Sequence, residues 1–180
     1  MKLSHLFCAG ILAFSMGGVQ ATSPESEAAP ETAPAEAAAM SMSLSQMVVR
    51  LPVAEGVTLD AAIESMLLRA NALNMKQVAH QPMWREFEAQ GFEKIRRVEI
   101  FQFCNIAAAH EMLNFNIDFV AFMPCRIAAI EDNEGKPFLV MMNLDLLLSL
   151  SNMPDELAAL AKKVRDDLME IIQAGAEGEL

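Results

Sequence analysis

The sequence predicts a single compact α+β domain: a mixed β-sheet packed by two long helices and a short one. The expected order is roughly β-α-β-β-α-β-β-α. Three observations predict it. Apolar residues repeat at helical spacing over about 59–73 and again after Pro154. Residues 95–103 alternate in the two-residue period of a strand. A turn-forming run, Glu131 to Gly135, joins two apolar stretches as in a hairpin, which favours α+β over α/β.

The elements follow in order. Val48 to Val53 reads as a first strand. Thr58 suits the N-cap of a helix whose stripe is Leu59, Ala62, Ile63, Met66, Leu67, Ala70 and Leu73. Lys76 to Pro82 is a weak strand closed by its proline, and His80 within it reads as a loop residue. Trp84 to Gln90 can form a short helix ending at Gly91. In the strand Ile95 to Phe103, one face carries Ile95, Arg97, Glu99, Phe101 and Phe103, and the other Val98 and Ile100.

Asn105 can cap a helix over about 106–114 with Ile106, Ala109, Met112 and Leu113 on its apolar side. Phe119 to Ile130 is nearly continuous in apolar residues, the pattern of a buried central strand. Phe138 to Leu144 returns as its hairpin partner, with Pro137 confined to the start or edge. Pro154, Asp155 and Glu156 suit the first turn of a last helix. Its stripe is Leu157, Leu160, Ala161, Val164, Leu168, Ile171 and Ile172, and Gly175 and Gly178 end it.

The chain outside this domain, 47–175, is read by composition. Residues 1–21 match a cleavable secretory leader: Lys2, an apolar stretch from Leu6 to Met16, a Gly17-Gly18 break, and Val19-Gln20-Ala21 as the cleavage site. The stretch is too short for a bilayer span, which needs about 20 residues. Residues 22–46 are dominated by Ala, Pro, Glu, Ser and Thr and are expected to be a disordered spacer. Residues 176–180 are expected to be a flexible terminus. The expected location is the periplasm or the medium. The formal charge is −11, which argues against nucleic acid or an anionic membrane as partner. No membrane span is expected. Met40, Met42 and Met47 could offer soft copper ligands but read more simply as the entry to the domain.

Chemistry is expected around two cysteines. Cys8 leaves with the leader, so Cys104 and Cys125 remain, the count for one disulfide or one two-thiolate site. Cys104 ends a strand just before a helix, where a helix dipole would stabilise its thiolate, and Arg126 would do the same for Cys125. With His110, Met112 and Met123 nearby in sequence and Asn105 at the cap, the pair suits copper(I), zinc or haem iron. Plain packing or a structural disulfide explains the same cysteines. Flush strand starts at Ile95 and Phe119 would leave the two Cα atoms roughly 10 Å apart along the sheet, and a small register shift would bring them together. Asp132 to Gly135 resembles half a calcium loop but is better explained as a hairpin turn. Phosphate-loop, Gly-x-Ser-x-Gly and His-Glu-x-x-His motifs are absent, so no familiar enzyme is indicated.

Cys104-Asn105, Ala109 with Leu113, Met123-Pro124-Cys125 and Ile130-Glu131 together resemble domain-of-unknown-function family 302, a bacterial group. The resemblance spans about residues 47–175. This sequence departs from the pattern at Ile106, where a proline commonly follows Cys-Asn. The resemblance implies a compact, self-associating α+β domain, hence a homodimer, and implies no established reaction. The expected function is a periplasmic binding or redox-accessory domain centred on Cys104 and Cys125. The alternative is a non-catalytic protein-interaction module with structural cysteines.

Overall fold

The computed structural model describes residues 42–179. The expected leader and most of the spacer lie outside them. A 3-10 turn at Leu44–Gln46, capped by Ser43, precedes β1 (Val48–Pro52), so regular structure begins slightly before Met47. Then come α1 (Leu59–Ala72), β2 (Lys76–Gln81), α2 (Met83–Ala89), β3 (Val98–Cys104) and α3 (Ile106–Phe115). A 3-10 segment, Ile117–Phe122, leads to β4 (Cys125–Glu131), β5 (Pro137–Met142), α4 (Leu144–Leu150) and α5 (Asp155–Glu177).

The α+β class holds, and the sheet order is β1-β5-β4-β3-β2. Every neighbouring pair is antiparallel, so the expected mixed sheet is corrected to an antiparallel one. Local signals account for most elements. Thr58 caps α1 by accepting the Ala61 amide at 3.1 Å, and Pro137 opens β5, where its missing N–H disturbs least.

Three further corrections concern the second half. The run Phe119–Ile130 is not one strand. Its first part is the 3-10 segment, started by Asn116 accepting the Asp118 amide at 2.8 Å. Pro124 has no N–H to give a central ladder, so β4 begins after it. The helix α4 was not expected; Asn143 caps it. The helix α5 does not stop at Gly175 but runs to Glu177, with Ala176 buried, and ends at Gly178, whose φ is +71°.

One face of the sheet carries the core. Phe101, Phe103, Ile127, Ala129, Leu139 and Met141 point toward α1 and α5 and are buried with Met66, Leu168, Ile171 and Ile172. Each large side chain so buried contributes about 1.5–3 kcal/mol. Gly175 explains how closely α5 approaches. A Cβ there would lie 2.7 Å from Leu139 Cδ1 and 3.0 Å from the Ala62 carbonyl oxygen. The glycine is kept for this contact, not as a stop signal. On the opposite face, Ile100, Ala128, Ile130, Phe138 and Val140 stay only half-buried.

Candidate functional site

The register of β3 against β4 builds the site. Phe103 stands directly opposite Cys125, so Cys104 is one residue past that rung. The offset expected from flush strand starts disappears because β3 and β4 run antiparallel, so the end of one meets the start of the other. From ladder spacings, the two cysteine Cα atoms are roughly 6 Å apart, within disulfide reach. Strand alternation, however, puts Cys125 in phase with Phe103 and Ile127, and Cys104 out of phase. Both cysteines are free and half-buried.

Because β3 and β4 run antiparallel, α3 and the 3-10 segment sit at the same end of the sheet. Between them, α4 and α5 lies a cleft that both cysteines border. It encloses about 620 Å³ of empty space, its open mouth included. Its walls are apolar: Ala108 and Met112 from α3, Phe119 and Phe122 from the 3-10 segment, Leu144, Leu147 and Leu148 from α4, and Ala161 and Val164 from α5. Its enclosed part is small, about 70 Å³, so most of that space is the open mouth. Ile106, Leu113, Phe115, Ile117, Val120 and Leu150, on the same elements, are exposed and apolar.

The electrostatics reverse the thiolate expectation. Burial raises the Cys104 thiol above its ordinary value. Burial, then the neighbouring Cys104, push Cys125 up to about 11, against a weaker downward pull from Arg126. Both thiols are therefore protonated at neutral pH. The dipole argument fails because Asn105 is the cap, and its side chain already accepts the Ala108 amide at 3.1 Å. Arg126 lies on the exposed face of β4.

The other sequence-predicted residues divide. Asn105, Met112 and Met123 border the cleft with the cysteines. His110 does not: it is two residues from the buried pair Ala108 and Met112, hence near the far side of the helix, and contacts Glu111 and Asn114 instead. Among the described residues, no group of three or more His, Cys, Asp or Glu side chains is placed to hold a metal. The zinc and haem readings that drew on His110 lose that donor. Copper(I), which accepts sulfur alone, would still find Cys104, Cys125, Met112 and Met123 along one cleft. Asp132 accepts the Glu134 and Lys136 amides at 2.8 and 2.9 Å, as a hairpin turn requires.

A polar cluster elsewhere was missed. His80 is no loop residue; it sits on β2, stacks on Phe101 at 4.3 Å and meets Glu99 at 2.7 Å. Glu99 also accepts from Arg97 Nε at 2.7 Å, and Arg97 reaches Asp60 at 2.6 Å. Burial raises the Glu99 carboxyl, but Arg97 and His80 outweigh it and hold it below its usual value. The signal was visible: Glu99 shares a strand face with Phe101 and Phe103.

This arrangement, a Cys-Asn strand end and a Met-Pro-Cys strand start bordering one cleft, can be compared with known families. The family model described as Domain of unknown function DUF302 matches residues 49–175. The chain belongs to the DUF302 family. A crystal structure of an uncharacterized conserved protein DUF302 from Bacillus stearothermophilus is 19% identical, with a TM-score of 0.61 over 71% of this chain and 97% of that one. At that identity the likeness shows the fold alone. No curated protein matches.

Proposed function

We propose that this DUF302 domain is a non-catalytic binding module of an exported protein, taking a small apolar ligand into the cleft between α3 and α4. One observation carries the reading: the cleft is open, walled by apolar side chains, and flanked by exposed ones such as Val120 and Leu150. Its cysteines act as packing groups, because a protonated thiol is a poor nucleophile. The leader sequence supports export; a secreted form still carrying Met1 would refute it. For the cleft, a neutral naphthylamine dye whose emission rises in apolar surroundings is the probe. Saturable uptake by the purified chain is expected, with at least a tenfold loss in Leu148→Arg, whose circular dichroism should be unchanged. No saturable uptake, or equal uptake by the variant, would refute the reading.

Copper(I) is a second ligand, favoured by the four sulfur-bearing residues along the cleft. Competition with a bicinchoninate chelator tests it: uptake of copper lost in Cys125→Ser supports it, and no uptake by the wild type removes it.

A further inference from the structure

We propose that the open face of the sheet, opposite the cleft-bearing side, docks an acidic peptide segment of a partner protein that carries bulky apolar residues. The first ground is charge segregation. Acids outnumber bases 24 to 13 along the chain. Yet the strand positions on this face hold Arg50, Lys76 and Arg126 and no carboxylate, and Arg96 stands just before β3 beside them. These four cations are exposed, and none forms an ion pair among the described residues. The net charge hides this patch, since exposed charges beyond about 10 Å are screened.

The second ground is shape. Ala128 lies between Ile100 and Val140 across the strands, and the small side chain leaves a hollow there. The hollow holds about 730 Å³ of empty space, its open mouth included, with Arg50 and Arg96 both on its border. Phe138 is part of the lining, and the Arg50 guanidinium lies over its ring at 5.9 Å. An apolar side chain can fill the hollow while carboxylates meet the arginines in charge-assisted pairs.

Charge complementarity selects this occupant over others. A second copy stacked face to face would set cations against cations. An anionic bilayer or a nucleic acid would press negative charge onto Glu131 and Asp132, which also border the hollow. A peptide can place its acids on the outer sides of Arg50 and Arg96 and an apolar residue toward Glu131 and Asp132, although Arg96 already draws on Asp132.

The probe is a fluorescein-labelled peptide alternating Glu with Phe, measured by anisotropy against the purified chain. Its counterpart alternating Lys with Phe and vesicles rich in phosphatidylglycerol are the controls. The acidic peptide should bind saturably, at least tenfold more tightly than the basic one. The pair Arg50→Glu and Arg96→Glu should weaken it by at least tenfold, with unchanged circular dichroism and unchanged dye uptake by the cleft. Ala128→Trp should weaken it similarly by filling the hollow; if that variant misfolds, the arginine pair decides alone. Equal binding of the two peptides, unchanged binding by the arginine pair, or binding of vesicles but not of peptide would overturn the proposal.

Discussion

Between α1 and α5 the inner face of the sheet is sealed, while at the α3 and α4 end the same face stays open. The sealed half uses small residues where the helices cross: Ala62 and Gly175 let the helix backbones approach, and Met66, Ile171 and Ile172 then fill the space completely. The open half uses short elements. α4 has 7 residues and none of them is buried, and none is buried in the 3-10 segment. Phe119 and Leu147 border the gap instead of closing it. One hydrophobic composition thus gives a core in one place and a cleft in another. What differs is whether long helices can reach van der Waals contact with the sheet.

This comparison can be tested at three points. The largest effect should come from paired truncations. Leu168→Ala in the sealed half should cost about 3 kcal/mol, because it leaves a cavity. Leu148→Ala in the open half should cost less than about 1 kcal/mol, since its side chain already borders empty space. Urea unfolding measures both, and equal costs would erase the distinction between core and cleft.

A smaller effect is expected at the helix crossing. Gly175→Ala gains about 1 kcal/mol of helix propensity but must push Leu139 and α1 aside, an overpacking cost of about 1–3 kcal/mol. A modest net loss of stability should result. A more stable variant would mean that the sealed half has slack.

The third test concerns the boundary between the halves. Cys125 packs against the core and titrates near 11, whereas unfolded thiols titrate at about 8.5. The folded state therefore holds this proton longer than the unfolded one. That contribution is fully present below about pH 8.5 and is lost as the pH rises toward 11. Iodoacetamide labelling followed by peptide mass should show Cys104 modified ahead of Cys125 at pH near 8, since Cys104 lacks that core contact. Labelling of Cys125 should accelerate only toward the upper end of that range. Rapid modification of Cys125 at neutral pH would restore the activated-thiolate reading.

Elements specified by neighbours a few residues away were legible from the chain. Thr58 and Asn105 act as the caps their side chains suggest. Pro137 opens its strand, and Pro154 with Asp155 opens α5. The Cys-Asn and Met-Pro-Cys elements drew attention to the segment that borders the cleft, and Met112 and Met123 do line it. His110, near the cysteines in sequence, is a helix-surface residue, because a helix carries a residue two positions from Ala108 and Met112 to nearly the opposite side. Phe119 to Phe122 forms a 3-10 segment walling the cleft and not the expected strand, because an apolar run reads alike as either.

Composition, capping and periodicity determined the α+β class and nearly all the elements, because these depend on contacts within a turn or two of chain. Tertiary structure alone decided the antiparallel sheet, the rung that sets Phe103 against Cys125, the role of Gly175 and the protonation of the thiols. Each of those depends on a partner distant in sequence. Strand direction and register are chosen by which faces can be buried together. A pKa is set by how much water the final packing leaves around the group.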